Sequence, residues 1–165
     1  MGACYYSKMT ICGDITMQTH HYQNTYRNEL RRKIESLKGQ VFIRNDLEKD
    51  HSNQAQLRLN RALNMLLDEG EILKISHGLY AKAEPITLKN GQTKTFLKES
   101  FETVAMEALN KFGVQWELGR AIREYNEGKT TQVPVVFSVQ LKSRFRGEIH
   151  AEERSVIFEN DTNTR

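Results

Sequence analysis

Cysteine, proline and tryptophan are scarce in this chain: its 165 residues include two Cys, two Pro and one Trp. Cys4 and Cys12 stand eight apart, whereas structural zinc uses cysteines separated by roughly two to four residues, so even with His20 and His21 nearby no metal site is expected. Gly2 to Ile15 has no apolar core and only Lys8 as a basic residue, which argues against a secretory signal and for a reducing cytoplasm. Long hydrophobic runs are missing too. The longest nearly unbroken one, Val133-Pro134-Val135-Val136-Phe137, falls far short of the ~20 residues of a membrane helix, so no integral membrane protein is expected. An excess of one charge is also absent: 24 Lys+Arg face 21 Asp+Glu for a net +3. The balance holds in both halves, with 12 basic and 10 acidic residues over 1–84 and 12 and 11 over 85–165. Coating of nucleic acid by charge alone is thereby excluded, while a patterned reader is not.

Catalytic signatures are missing as well. The chain has no Gly-x-Gly-x-x-Gly, His-Glu-x-x-His or Gly-x-Ser-x-Gly. Gly128-Lys129-Thr130 has the residues that close a phosphate-binding loop, but Arg123 stands where that loop needs a glycine, and Thr131-Gln132-Val133-Pro134 leads into a strand rather than a helix. Glu148 and His150 have no third partner in view. No enzyme, no cofactor and no metal are expected.

What is present begins near Tyr26. Residues 1–23 show no sustained period and read as a mobile extension, with Met17 as an internal start. Tyr26, Leu30, Ile34 and Leu37 then form one apolar helical stripe, with Arg27, Arg31, Arg32 and Lys33 on or beside its polar faces and Gly39 as its C-terminal cap. Val41-Phe42-Ile43 reads as a short extended segment, and Arg44 to Lys49 as a brief helical turn whose Leu47 shares a core with Phe42.

Asp50-His51-Ser52-Asn53 is a helix-initiating run. After it Ala55, Leu59, Ala62, Leu63, Leu66 and Leu67 fall on one face, and Gly70 ends the helix. The opposite face holds Asn53, Gln54, Leu57, Arg58, Asn60, Arg61, Asn64 and Met65. A merely solvated face would alternate Glu with Lys. This one carries Asn, Gln and Arg, which make bidentate contacts with adenine and guanine edges, and its carboxylates, Asp68 and Glu69, come at the C-terminal end. Glu71 to Lys82 then reads as two strands around Ser76-His77-Gly78. Three helices followed by a hairpin give the order of a winged helix-turn-helix domain. On this reading Asn53, Gln54, Leu57, Arg58 and Arg61, with Arg44 beside them, meet the DNA major groove, while Lys74, His77 and Lys82 hold phosphates or a groove edge.

Ala83-Glu84-Pro85 and the turn at Asn90-Gly91 mark a linker near residues 83–95. Phe101, Val104, Ala105, Ala108, Leu109 and Phe112 make a second amphipathic helix between Ser100 and Gly113, and Trp116 to Tyr125 suggests another helical segment. Val133 to Val139, Phe145 to His150 and Ser155 to Phe158 read as strands. The expectation is an α+β protein: an extension (1–23), a winged helix-turn-helix domain (24–84), a small α+β domain (85–160) and a tail (161–165). Late basic residues, Lys129, Lys142, Arg144 and Arg146, make a candidate patch for nucleic acid or an acidic partner, the last three alternating along an extended segment; the solvated face of an edge strand accounts for them equally well.

Gly39-Gln40-Val41-Phe42 through Asp46-Leu47, Leu59-Asn60-Arg61-Ala62-Leu63, Leu66, Glu69-Gly70-Glu71-Ile72 and Gly78-Leu79-Tyr80 together resemble the winged-helix half of AbiEi-type antitoxins. Ala105-Met106-Glu107-Ala108-Leu109, Phe112-Gly113, Thr130-Thr131-Gln132-Val133-Pro134 and Arg144 through Ser155-Val156-Ile157-Phe158 are similar to the C-terminal part of related bacterial regulators of type IV toxin–antitoxin systems. The resemblance runs from about residue 26 to 160 and departs from the family at Tyr125-Asn126-Glu127-Gly128-Lys129, where related sequences carry small residues. It implies an antitoxin that represses its own operon through the N-terminal domain and counters a nucleotidyltransferase toxin through the C-terminal one without a tight complex; a dimer or paired monomers on repeats in its promoter are expected besides, because one short helix reads few bases. The rival expectation is a protein-interaction module that docks an acidic toxin or effector through its C-terminal domain.

Overall fold

The computed structural model describes residues 13–159, and of residues 13–24 the helical backbone only. The chain runs α1 (Gly13–Ser36), β1 (Val41–Ile43), α2 (Arg44–Leu47), α3 (Asn53–Asp68), β2 (Ile72–Ser76), β3 (Leu79–Thr87), β4 (Thr93–Leu97), α4 (Phe101–Lys111), β5 (Trp116–Leu118), α5 (Arg120–Asn126), β6 (Ser138–Leu141), β7 (His150–Ala151), β8 (Arg154–Ser155) and β9 (Ile157–Glu159). This is a mixed α+β architecture. α1 begins at Gly13, thirteen residues ahead of the apolar stripe that announced it. Of the predicted extension, residues 1–12, with Cys4 and Cys12, lie outside the described residues, as do 160–165. Among the described residues no helix is long and apolar enough to cross a membrane.

The centre of the molecule is an antiparallel sheet of order β1-β3-β2, with Val41 opposite Ala81 and Ile72 opposite Lys82. Side chains alternate across it. Phe42, Ile72 and Tyr80 point to one face, where Leu30 and Ile34 of α1, Leu47 of α2 and Leu59, Leu63 and Leu66 of α3 cover them. Val41, Leu79 and Ala81 point to the other, where they meet Phe101, Val104, Ala105, Ala108 and Leu109 of α4 together with Val139, Ile149 and Val156. Both faces are buried, which is why Leu79 to Ala83 reads as an unbroken buried run. Phe42 stacks on Tyr80 at 5.9 Å between ring centres.

Local chemistry sets the helix ends. Ser52 accepts a hydrogen bond from the Ala55 amide at the start of α3, and Ser100 does the same for Thr103 in α4. α3 ends at Gly70, whose φ of 73° lets Glu71 N–H reach back to Leu66 O and Gly70 N–H to Leu67 O.

Several sequence expectations change, among them the strand over Val133 to Val139, which begins only at Ser138. The predicted linker at 83–95 is a hairpin: β3 continues through Pro85, opposite Thr95 of β4. Ala83 N–H donates towards Glu71 and Leu88 N–H towards Gln92, so by alternation the proline nitrogen faces the side where no strand remains to be donated to. The boundary at 84/85 therefore falls inside a strand, and the central sheet is shared by both halves of the chain. Gly39 is not a positive-φ helix cap. A side chain there would meet the Glu107 carboxylate of α4, which would have to move aside. The helix expected over Trp116 to Tyr125 divides into β5 and α5 at Gly119, which is packed against Ser138 and Glu159.

A second sheet, β5-β6-β9, pairs Trp116 with Leu141 antiparallel and Ser138 with Ile157 parallel. The predicted strand over 145–150 survives only as His150 in the β7–β8 hairpin. Ahead of it the Phe145 ring lies over Gly147 and between Phe112 (5.1 Å) and Phe158 (5.5 Å), so the chain curls around this ring instead of extending.

Candidate nucleic-acid interface

The outer face of α3 is uncovered, because α1, α2 and the sheet take its apolar side and the C-terminal elements pack on the far side of the sheet. At about 100° per residue, Asn53, Gln54, Leu57, Arg61, Asn64 and Asp68 fall in one stripe about 100° wide, centred opposite the buried face. All of these residues are exposed, Leu57 at 56%. Asn53, Gln54, Arg61 and Asn64 have no side-chain partner among the described residues.

Arg58 and Arg44 differ. Arg58 lies over the Tyr26 ring at 4.3 Å and 3.6 Å from Glu48, which also accepts a hydrogen bond from Tyr26 Oη at 3.1 Å. Partial burial and the Glu48 carboxylate raise the Tyr26 phenol. Glu48 itself is held below the usual carboxylate range, first by the Asp50 amide and then, against some burial, by Tyr26 and Arg58. The Arg58 guanidinium thus fastens α3 to α1 at the edge of the stripe. Arg44 donates to Gln56 Oε1 at 3.0 Å. Both arginines were expected at the groove, and both are engaged within the protein.

Of the residues expected on the hairpin, Lys74 and His77 are exposed, with His77 and Gly78 forming the turn between β2 and β3 and Gly78 at φ 71°. Lys82 is not available to phosphate. It is buried on the α1 side of β3, where Nζ donates to Leu37 O at 2.6 Å and Glu35 O at 3.3 Å. Its alternation with Tyr80 directs it inward, and it satisfies carbonyls at the end of α1.

The late basic row is also reduced. Lys129 pairs with Glu127, Lys142 with Glu117, and the segment carrying Arg144 and Arg146 is irregular rather than a strand. Arg144 and Arg146 remain exposed on either side of the inward Phe145. Sequence reasoning missed an exposed apolar segment: Val133, Val135 and Val136 are exposed, Val135 at 97%, and Ile157 of β9 is exposed as well. An apolar run in a stretch otherwise read as a strand was its only signal.

Among the described residues no group of three or more His, Cys, Asp or Glu could hold a metal ion. A cleft of about 180 Å³ between α1 and β3 is lined by Arg31, Glu35, Glu71, Lys82, Glu84 and Lys98 among others. Arg31 there is already paired with Glu69 and Glu71, and Lys82 with backbone carbonyls. α3 and the hairpin, by contrast, present exposed polar side chains without partners among the described residues. Comparison with known proteins gave no matching protein-family model, no matching curated protein and no matching solved structure.

Proposed function

We propose that this chain is a winged-helix DNA-binding transcription regulator in which α3 enters the major groove and the β2–β3 turn serves as the wing. The observation that carries the reading is the exposed stripe Asn53, Gln54, Leu57, Arg61 and Asn64 on a helix that buries Ala55, Leu59, Ala62, Leu63 and Leu66 on its opposite side. Such a stripe offers base-reading side chains on a rigid element. The element order α1-β1-α2-α3-β2-β3 and the strand order β1-β3-β2 support it. Lys74 and His77 supply the phosphate side and Arg61 belongs to the base-reading stripe, while Arg58 and Lys82 hold the domain together. Two chains on repeated half-sites in the chain's own promoter are the natural arrangement for one short helix reading few bases.

The resemblance to AbiEi-type antitoxins extends the proposal: the regulator represses its own operon and counters a nucleotidyltransferase toxin through its C-terminal elements. The rival, protein docking through those elements, is favoured by the exposed Val133, Val135 and Val136.

Electrophoretic shift with the DNA upstream of the chain's own reading frame tests the first proposal. Removing the phosphate contact with Lys74→Ala should flatten the salt dependence by about one in log–log slope per chain, and removing the base-reading side chain with Arg61→Ala should weaken specific binding. Binding and slope that survive both substitutions refute this interface. A stable partner that co-purifies with a chain showing no specific shift favours the rival.

A further inference from the structure

The outward stripe of α3 carries a base preference as well as a place to bind. The sequence offers Arg44, Arg58 and Arg61 as guanine readers, and the fold withdraws Arg44 to Gln56 and Arg58 to Tyr26 and Glu48. What remains outward is Asn53, Gln54 and Asn64, one arginine, Arg61, and one leucine, Leu57. We infer, resting on the DNA-binding reading above, that α3 selects a short A·T-rich tract through the major groove.

The chemistry follows from which groups the groove presents. A carboxamide matches adenine, donating to N7 while accepting from the N6 amino group, whereas guanine's N7 and O6 are both acceptors and suit a guanidinium. Three amides against one arginine therefore weight the surface towards adenine. Leu57 points the same way. It is 56% exposed at the middle of the stripe, and the thymine methyl is the apolar group that a major groove offers it. Asp68 closes the stripe at its C-terminal end with a carboxylate that repels phosphate. Asn53 and Asn64 stand eleven residues apart, which at ~1.5 Å per residue is about 16 Å, or roughly five base pairs at ~3.4 Å each.

Selection of binding duplexes from a randomised pool by the full chain, followed by shift assays on the recovered sites, tests this. The expected half-site is about four to five base pairs of A·T with at most one G·C, the latter assigned to Arg61. Replacing its adenines by 7-deaza-adenine removes the N7 acceptor and should weaken binding, which a minor-groove contact would not feel. Asn64→Ala, with its thermal midpoint checked against the parent, should lower the preference for adenine at one position by about 5- to 150-fold. Recovered sites with two or more G·C pairs per half-site, or preferences unchanged by Gln54→Ala and Asn64→Ala, overturn the inference and leave DNA binding standing. Failure to retain any duplex above non-specific sequence overturns the DNA-binding reading and the inference together.

Discussion

Gly39 and Glu107 join the two halves of the chain, and their coupling can be measured. The Glu107 carboxylate of α4 accepts from Gln40 N–H at 2.9 Å and Val41 N–H at 3.2 Å, where the backbone enters the central sheet. A Cβ on Gly39 would stand 3.1 Å from the carboxyl carbon and closer still to Oε1, so any side chain there displaces the carboxylate. Hydrogen bonds to a charged acceptor contribute roughly 1.5–3 kcal/mol each when well buried. Both of these are partly solvated, and halving them gives about 2 kcal/mol for the pair. Glu107→Ala should then lower the thermal midpoint by about 4–8 °C, at ~2–4 °C per kcal/mol for a chain of this size. Gly39→Ala should cost about the same, because it expels the same carboxylate. The double variant should cost little more than either single one, leaving an interaction of about 2 kcal/mol in a double-mutant cycle followed by denaturant unfolding. A glycine needed for its own backbone conformation would behave otherwise: its cost of about 1 kcal/mol would persist unchanged when Glu107 is gone. Additivity within about 0.5 kcal/mol would therefore falsify the close-approach explanation of Gly39.

Lys82→Met keeps the aliphatic stem but leaves the Leu37 and Glu35 carbonyls without their donor. Stability should fall by about 1–3 kcal/mol in urea unfolding, with the salt dependence of DNA binding unchanged; a flattened slope without loss of stability would return Lys82 to the interface. Asp46 should contribute to an acid-labile link between α2 and α4. Burial works to raise its carboxyl, but hydrogen bonds from Lys111 at 2.7 Å and from the Ile43 amide outweigh it and hold the group below the usual range. A depressed folded pKa stabilises above the unfolded value and loses that contribution as pH falls through the folded one. The stability difference between the parent and Asp46→Asn should thus be full above about pH 5 and shrink towards pH 3, followed by unfolding midpoints across that range. A difference independent of pH would remove the Lys111 link as its cause.

Much of the first half was legible because its helices are one-sided. The stripe from Tyr26 to Leu37, the buried face around Leu59 and the Ser52 and Gly70 ends of α3 all follow from a period near 3.6 and from side-chain capping, which need only neighbours in sequence. The domain boundary was not legible, for a reason in the same physics. Pro85 reads as a breaker wherever a strand needs both of its edges, and only the end of β2 before that point in the sheet makes the position tolerant. Gly39 illustrates the same gap. A glycine after a helical stripe matches a C-terminal cap, whereas the reason it is glycine comes from Glu107, 68 residues further along the chain.

The candidate site was legible in its composition and not in its membership. Periodicity shows which residues oppose the apolar face of α3, yet Arg58 and Arg61, about 100° and 160° from Leu59 on a wheel, both fall outside that face, and the wheel alone leaves both free to meet DNA. Their fates separate because α1 brings Tyr26 to the edge of the stripe, and a guanidinium gains more from an aromatic face and a nearby carboxylate than from water. Lys82 shows the complementary case. Its charge suggests a phosphate ligand, but the alternation that puts Tyr80 against Phe42 also turns Lys82 towards the end of α1, where free carbonyls accept its hydrogen bonds. Two of the side chains that looked most suited to DNA thus build the support for the helix, and the proposed base reading is left to the amides, Arg61 and Leu57. Arg58→Ala should accordingly lower the unfolding midpoint and leave the base preference of the folded protein intact, whereas Arg61→Ala should leave the midpoint intact and weaken binding. The opposite pairing, a stable Arg58→Ala protein that binds poorly, would restore Arg58 to the groove and α3 to the orientation in which the sequence first presented it.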